Sequence, residues 1–535
     1  MQRRTFIKYN AITALSLTPL FANTHSHIHD MDSMSNGHSL HNHTIHSNMH
    51  NHSHVTHNLI DTSFITLENE NIPLLKSKDF PQNQPLKPLT LLTNQSKNKG
   101  EFHASIEIKE VELQVIKGKK TKFYIYSDTQ SKTNSFLAPK IEVYEGDKVK
   151  ILVKNSLKEP TTIHWHGLPV PPSQDGNPID IIPPNESRIY EFSLPNDCAG
   201  TYWYHPHPHR ATAKQVYMGL AGAFVIKSQN DILKDYKDSD WFITDLRLDS
   251  SGKIPDNALS DWLDGREGEF VLINGQYKPN INIDSNQRIR IYNACSARYL
   301  DLEIQGADFM LIGTDGGLLE KPILQKRLFM SPASRVEVVI QNTKKGNFKL
   351  LSHLYDRSKM MPKNEKKILE LAQVNINSLQ IALPQTLRTL PPLQDATQEL
   401  NIVMSEDHSK MHKLSTQSKE QIKQNLATMF LINNKVFGMN DIDLRIAKDI
   451  THDIIVTNKS HMDHPFHIHG TQFEVVQLNS KSEKPPFRAL RDTINVRPNE
   501  SLRLRMKQSY KGMRMFHCHI LEHEDLGMMG NLAVE

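Results

Sequence analysis

Four pairs of histidines, each separated by a single residue, are the part of this sequence best suited to chemistry. They are His164/His166, His205/His207, His467/His469 and His517/His519. If each pair lies on a β-strand, its two imidazoles point to the same side of the strand. Two pairs fall in each of two related stretches of chain, so we expect all eight imidazoles to meet in one polynuclear metal site. The pairs contain no carboxylate, which favours copper or zinc over magnesium or calcium.

A second candidate site surrounds Cys518, which lies between two same-facing histidines and must therefore point to the opposite side of its strand. His523 and Met528 follow it, and His464 lies upstream. One thiolate, two imidazoles and a weak axial thioether form the ligand set of type 1, blue-copper electron-transfer sites. A buried cysteine with incidental neighbours is the alternative, and the spacing of the four residues argues against it.

Short β-strands are the elements that would carry these residues. Beyond residue 100 the sequence shows period-two segments, for example 148–153, 288–292 and 501–505, separated by proline, glycine and asparagine. This pattern predicts an all-β chain of sandwich type.

Comparison of the chain with itself finds one unit repeated three times. Each copy has a strand ended by asparagine and a glycine 12 or 13 residues later: Asn155/Gly167, Asn293/Gly306 and Asn458/Gly470. The middle copy has Glu303 and Gln305 where the outer copies have histidines. The fold therefore does not require the imidazoles, and the histidines are there for chemistry. We predict three related domains, at 90–228, 235–378 and 399–535.

The first 22 residues predict export. A pair of arginines in Arg3-Arg4-Thr5-Phe6-Ile7-Lys8 precedes an apolar stretch that reaches Ala22. This is the pattern of a twin-arginine signal, with a basic amphipathic helix as the alternative. We therefore expect residues 1–22 to engage the twin-arginine export machinery and the protein to work in the periplasm.

Residues 23–89 are predicted to form a histidine-rich tail and a linker, and residues 23–57 of this stretch are expected to be disordered. Eleven of the 28 histidines fall between residues 25 and 57, among asparagine, serine and threonine. Such a segment has almost no core-forming residues. Its imidazoles could capture copper, nickel or zinc; a solvated tail without a role is the alternative.

Composition excludes several classes of function. The 63 basic and 59 acidic residues nearly balance, which does not indicate a nucleic-acid partner. No apolar run approaches the roughly 20 residues that a membrane span needs. Three cysteines cannot build a disulfide scaffold, and we expect Cys198 and Cys295 to be free, buried thiols. Three domains make a monomer the expected state.

Four motifs resemble the copper signatures of the multicopper oxidases. They are His-Trp-His-Gly at 164–167, Trp-Tyr-His-Pro-His at 203–207, His-Pro-Phe-His-Ile-His-Gly at 464–470 and His-Cys-His-Ile-Leu-Glu-His-Glu-Asp-Leu-Gly-Met at 517–528. The similarity covers about residues 100–535 and is greatest to the bacterial three-domain copper efflux oxidases. It implies three cupredoxin-like Greek-key β-sandwich domains that hold four copper ions.

The resemblance also implies a role for each ligand. The ligand sets are His164 and His467 for type 2 copper; His166, His205 and His519 for one type 3 copper; His207, His469 and His517 for the other; and His464, Cys518, His523 and axial Met528 for type 1 copper. The implied reaction couples one-electron oxidation of a donor to the reduction of O₂ to two waters. Asp175 and Glu524 match acids that family members use near the cluster, although Asp175 also fits a turn in Gln-Asp-Gly-Asn.

The sequence specifies the electron donor less clearly than the copper ligands. Exposed thioethers near type 1 copper would select Cu(I), and Met404 and Met462 match substrate-copper positions of the efflux oxidases. Residues that could complete such a site are Glu406, Asp407, His408, Met411 and His412. Ser460 stands where an acidic ligand is expected, and a long methionine-rich helix is missing from the sequence.

Three functions compete on this sequence. The first is a cuprous oxidase in periplasmic copper tolerance. The second is a broad laccase-like oxidase of phenols and other small reductants, or a ferroxidase. The third is a non-catalytic copper-binding protein, against which the complete ligand set argues.

Overall fold

The computed structural model describes residues 60–131, 134–284, 286–341, 344–362, 366–377, 383–392, 394–411, 416–479 and 483–535. The predicted signal at 1–22 and the histidine-rich part of the predicted tail lie outside these residues. Most of the regular structure described is β-strand, which confirms the predicted all-β class. No helix among the described residues is long and apolar enough to cross a membrane.

The first pair of sheets draws its strands from residues 101–227. The strand orders are Lys119–Asp128, Glu101–Ile116, Lys148–Asn155 and Ser187–Ser193 in one sheet, and Ile141–Tyr144, Gly222–Lys227, Gly200–His205 and His164–His166 in the other. Alternate residues of Lys148–Asn155 are buried, as expected for a strand with one face on the core. Apolar side chains from both sheets form one core.

The middle pair of sheets draws its strands from residues 237–376. The strand orders are Gln276–Tyr277, Phe270–Ile273, Lys237–Leu246, Gln287–Asn293, Arg335–Gln341, Asp308–Thr314 and Gly317–Gln325 in one sheet, and Asn280–Ile283, Ile368–Ile376, Gly346–His353, Leu300–Ile304 and Leu328–Met330 in the other. A second apolar core lies between them.

The third pair of sheets draws its strands from residues 398–534. The strand orders are Phe430–Ile432, Gln398–Glu406, Thr451–Asn458, Ser501–Lys507, Phe473–Leu478 and Leu490–Arg491 in one sheet, and Leu444–Ile446, Met529–Val534, Gly512–Cys518, His464–Ile468 and Thr493–Val496 in the other. A third core fills this pair. All strands of the three sheet pairs lie inside the predicted domain bounds, except that the first strand of the third pair begins one residue early, at Gln398. The domain bounds themselves stay a prediction.

The described helices are short. The α-helices are Thr212–Tyr217, Leu259–Asp264, Lys419–Leu426 and Leu521–Asp525, and the 3₁₀ helices are Ser77–Asp79, Pro172–Gln174 and His408–Met411. The segment from residue 60 to residue 92 contacts all three cores: Phe64 packs against the third, Leu86 against the middle one and Leu92 within the first. It thereby connects the three sheet pairs.

The repeated asparagines form three corners of the same design. Asn155, Asn293 and Asn458 each end a strand and are buried. In every copy the side-chain amide donates to two backbone carbonyls, one in the following loop and one farther along the chain. The repeated glycines all adopt positive φ angles, between 69° and 82°, which favours glycine. The repeat is therefore a structural device that needs no metal.

Candidate metal centre

Equivalent pairs of antiparallel strands position the eight paired histidines: five lie in the strands, and His207, His469 and His519 lie one or two residues beyond a strand end. In the first sheet pair His164 lies opposite His205, and in the third His467 lies opposite His517. All eight side chains are fully buried. Each strand pair therefore directs its imidazoles into the interior of the protein.

The imidazoles of the first and third sheet pairs interleave. The ring of His164 stacks on that of His469 with centroids 3.8 Å apart, and the ring of His166 stacks on that of His467 at 3.7 Å. The Nε2 atom of His517 lies 3.1 Å from that of His469. The predicted pairs thus meet in one buried cluster that both sheet pairs build.

The cluster fits metal ions. Overlapping groups of three histidines bring their ligand atoms within 4.8 Å of one another: His164/His166/His205, His164/His467/His469 and His207/His469/His517. Five Nε2 atoms are buried without a hydrogen-bond partner in the described structure, those of His164, His166, His205, His467 and His519. Unpaired buried nitrogens cost free energy unless a ligand occupies them. Copper ions bound by imidazole would satisfy these atoms.

Burial keeps most of these imidazoles neutral. It lowers the pKa of His517 to about 3. Burial, together with the neighbouring imidazoles, lowers the pKa well below the ordinary histidine value for His166, His205, His207, His467, His469 and His519. Only a neutral ring offers a lone pair to a metal. At neutral pH these rings are therefore in the form that binds metal.

Asp175 bridges two of the stacked histidines. Its Oδ1 lies 3.2 Å from Nδ1 of His164, and its Oδ2 lies 3.4 Å from Nδ1 of His469. Arg514 donates to Oδ2 at 2.8 Å. Burial raises the pKa of Asp175, but His164 and Arg514 outweigh it and hold the pKa below its usual value. The residue also ends the 3₁₀ helix Pro172–Gln174, so it takes part in a turn and contacts the cluster.

Glu524 bridges His207 and His517. Its two carboxylate oxygens lie 3.5 Å from Nδ1 of His207 and 3.2 Å from Nδ1 of His517. Burial, with Asp525 nearby, raises the pKa of Glu524 well above its usual value. Glu524 can therefore hold a proton beside the cluster.

A third carboxylate, which spacing in the sequence does not indicate, completes the set. Oδ1 of Asp492 lies 3.5 Å from Nδ1 of His166 and 3.8 Å from Nδ1 of His467. The backbone oxygen of Asp492 also accepts a hydrogen bond from Nδ1 of His467 at 2.8 Å. Three of the histidine pairs that join the first and third sheet pairs, His164/His469, His166/His467 and His207/His517, thus each have an acid of their own.

The structure also brings the second predicted group together. Sγ of Cys518 lies 3.3 Å from Nδ1 of His464 and 4.0 Å from Nδ1 of His523. Met528 is fully buried, and its backbone hydrogen-bonds to Cys518 and His523. Burial raises the pKa of the Cys518 thiol, so a bound cation is needed to stabilise the thiolate.

The far nitrogens of the two rings fix their orientation. Nε2 of His523 lies 3.0 Å from the backbone oxygen of Leu263, and Nε2 of His464 lies 3.3 Å from Oε1 of Glu406. Such acceptors favour the tautomer whose Nδ1 carries the lone pair. In both rings that atom faces the sulfur of Cys518, so the group is arranged around one ion.

Of the candidates Met404, Met462 and Asp407 for a substrate-copper site, two are buried and one lies at the surface. Met404 and Met462 are both fully buried, so neither offers the exposed thioether that would select Cu(I). Met404 belongs to the apolar core because it shares the inner face of its strand with Ile402. Asp407 is at the surface, where it accepts a hydrogen bond from Ser409. His412 and the side chain of Met411 lie outside the described residues.

A carboxylate and two imidazoles instead connect His464 with the surface. Oε2 of Glu406 lies 2.5 Å from Nδ1 of His461 and 3.6 Å from Nε2 of His408. The Glu406 side chain is buried, whereas those of His461 and His408 are 33% and 52% exposed. Glu406 raises the pKa of His461. His461 had no role in the sequence analysis, although it lies three residues before His464.

The two remaining cysteines match expectation. Cys198 and Cys295 are buried and free, and burial raises the pKa of both thiols. The prediction of free, buried thiols is confirmed, and these cysteines have no part in either group.

Models of the family described as multicopper oxidase match residues 116–231, 237–375 and 406–535. The chain is 34% identical to multicopper oxidase mco of Staphylococcus aureus over 439 residues, which is 80% of this chain and 88% of the relative. It is 59% identical to a solved multicopper oxidase from Campylobacter jejuni, described as a metallo-oxidase, with a TM-score of 0.86 over 88% of this chain and 99% of that one. It is also 27% identical to cell division protein FtsP of Xenorhabdus nematophila over 75% of this chain and 83% of that protein.

Proposed function

This chain is a member of the multicopper oxidase family, with a cupredoxin-like β-sandwich fold. We propose that it oxidises Cu(I) to Cu(II) and reduces O₂ to water. The observation that carries the proposal is the sequence His517-Cys518-His519. Its central residue belongs to the single-ion group, and its outer residues belong to the eight-histidine cluster. One strand end therefore joins the two sites that such a reaction needs.

We assign four copper ions to these groups. Type 1 copper is held by His464, Cys518, His523 and Met528; type 2 by His164 and His467; and the two type 3 ions by His166, His205 and His519, and by His207, His469 and His517. The buried, unpaired Nε2 atoms and the neutral imidazoles support this assignment. When bound, copper supplies one-electron transfer at the single-ion group and reduction of O₂ in the cluster.

The protein's own residues supply the connection and the protons. Cys518 is bonded through the backbone to two cluster residues, so a covalent path joins the sites. We assign Glu524 as a proton donor, because its carboxyl group lies between His207 and His517 and its pKa is raised. Asp175 stays anionic beside Arg514 and orients His164 and His469.

A metal ion is the favoured donor because of the group around Glu406. Carboxylate and imidazole side chains bind metal cations, and this group reaches from the surface to His464. The description of the Campylobacter jejuni protein as a metallo-oxidase supports the same class of donor. The buried Met404 and Met462 are not accessible to solvent, so we propose that a substrate ion meets the partly exposed His461 and His408 first and Glu406 after them. Fe(II) is the second candidate, since a carboxylate oxygen suits it as well.

Oxygen uptake with Cu(I), Fe(II) and a phenol as donors tests this function. We expect Cu(I) to give the highest kcat/KM, and His461→Ala to lower kcat/KM for the metal donors far more than for the phenol. His353→Ala is a matched control, because His353 pairs with Glu303 at 2.5 Å in the middle sheet pair. A wild-type preference for the phenol, or equal losses for all donors, would contradict the proposal.

We further propose a periplasmic monomer, exported through the twin-arginine machinery and acting in copper tolerance. The arginine pair at the start of the chain supports the route. Replacing Arg3 and Arg4 by lysine should leave oxidase activity in the cytoplasmic fraction. Activity that still appears in the periplasm would contradict the route.

A further inference from the structure

Asp492 differs from the other two acids of the cluster in how it is held. Two nitrogens of Arg335 donate to its two oxygens, at 2.6 and 2.5 Å. Gln472 and Thr493 donate to the same carboxylate at 3.0 Å each. Asp492 and Arg335 are both buried, to 0% and 1% exposure. A bidentate pair of this kind fixes both the charge and the orientation of a carboxylate.

Arg335 comes from the middle sheet pair, which carries none of the predicted metal ligands. Its own position is fixed by further contacts. Nε donates to the backbone oxygen of Thr201 in the first sheet pair, and the backbone N–H donates to Asp315. The guanidinium therefore connects all three sheet pairs at the wall of the cluster.

The glycine of the first histidine motif makes room for this carboxylate. A Cβ atom at Gly167 would lie 1.9 Å from Oδ2 of Asp492. Gly167 immediately follows His166, whose Nδ1 has no hydrogen-bond partner in the described structure and lies 3.5 Å from Oδ1. The close approach of backbone and carboxylate thus occurs at the histidine that Asp492 faces.

We propose that Asp492 is a positioning residue for His166 and His467, and that Arg335 holds it in place. The inference rests on the proposed copper cluster and goes beyond it, because it gives the ligand-free middle sheet pair a part in binding the metal. The anionic Oδ1 faces Nδ1 of His166 and the backbone oxygen accepts from Nδ1 of His467. Both contacts turn Nε2 of the rings toward the shared metal space. Loss of such an outer contact typically costs 10- to 100-fold in metal affinity.

Two conservative variants test the proposal in the full-length, copper-loaded protein. Asp492→Asn keeps the shape and removes the charge, whereas Arg335→Lys keeps the charge and removes the two-pronged contact. Arg290→Lys is the matched control, because Arg290 is equally buried in the same sheet and pairs with Glu337 at 2.6 Å without contacting a cluster histidine in the described structure.

The readouts are copper per chain, the EPR signal of type 2 copper, and the blue absorption of the Cys518 group. We expect both test variants to bind cluster copper about 10- to 100-fold more weakly and to alter the type 2 signal, while blue absorption and the signals of Arg290→Lys stay at wild-type values. Cluster copper and EPR spectra equal to those of Arg290→Lys would overturn the proposal. So would a parallel loss of blue absorption, which would indicate a purely structural role. Since none of these readouts uses a donor, a failure of the proposed oxidase activity would be seen separately.

Discussion

Asp175→Asn would remove one negative charge from the wall of the cluster without changing the shape of the side chain. Asp175 and Arg514 are both fully buried, and Nη1 of Arg514 lies 2.8 Å from Oδ2. The other contacts of the guanidinium include a donation to the backbone oxygen of Val170, and its Nε has no partner in the described structure. The variant therefore leaves a buried cation with no facing carboxylate.

The cost follows from that uncompensated charge. Removing one partner of a buried ion pair typically destabilises a protein by about 3–5 kcal/mol. For a cooperative unit of 150–250 residues, each kcal/mol shifts Tm by roughly 2–4 °C. We therefore expect Asp175→Asn to lower Tm by about 6–20 °C in chelator-stripped protein. In copper-loaded protein the variant should disturb the orientation of His469 more than that of His164. His164 keeps a second contact, because its Nδ1 lies 2.9 Å from the backbone oxygen of Asp175.

Calorimetry of a double-mutant cycle shows whether the loss of stability comes from the missing Asp175–Arg514 attraction or from the unpaired buried charge of Arg514. Asp175→Asn, Arg514→Met and the double variant are compared with wild type at neutral pH. If the stranded guanidinium causes the loss, the double variant should be more stable than Asp175→Asn alone. A double variant that is no more stable than Asp175→Asn would refute this reasoning.

Acid pH supplies an independent check on the same pair. The folded-state pKa of Asp175 lies below the ordinary value of 3.8, so its stabilising contribution is fully present above that value. It is lost as the pH falls through the folded-state pKa. The difference in stability between wild type and Asp175→Asn should therefore shrink in strong acid, and a constant difference would show that the charge of Asp175 is not its cause.

Four further outcomes are expected. Cys518→Ser should abolish the blue charge-transfer absorption while the type 2 EPR signal remains. A variant that kept this absorption would contradict the assignment of Cys518 as the thiolate ligand. Met528→Leu should raise the reduction potential of that site in a redox titration, because an axial thioether stabilises the oxidised ion; an unchanged potential would exclude it as a ligand. Raising the pH through neutrality should lower KM for Cu(I), since Glu406 raises the pKa of His461 and its proton must leave before the ring binds metal; a flat profile would place the substrate elsewhere. Deleting residues 23–57 should reduce copper bound per chain at unchanged turnover, and an unaltered stoichiometry would leave the tail without a metal role.

Residue type and strand periodicity are enough to predict the histidines that meet at the cluster. Because alternate residues share a face, each histidine pair had to point one way and Cys518 the other. The same rule, applied to Ile402 and Met404, would also have placed Met404 on a buried face. The resemblance matched Met404 to a substrate-copper position, and in the structure the side chain packs in the apolar core.

Contacts between sheet pairs are the part that spacing cannot predict. Arg335 and Asp492 are 157 residues apart in sequence, and neither lies in a histidine motif. Their pairing depends on how the middle and third sheet pairs approach one another, and no local pattern encodes that. Gly167 is a partial signal, since a glycine directly after a ligand indicates a close neighbour without identifying it.

The three asparagine corners bear on how the protein matures. Many small metalloproteins stay unfolded until their ion arrives, because the ion itself closes the chain. In this chain amide hydrogen bonds close the corners in all three repeats, including the one without predicted ligands. We therefore expect folding and metal uptake to be separable events. Under copper shortage the folded chain would accumulate without metal, and the copper-loaded fraction would follow the supply of metal after synthesis.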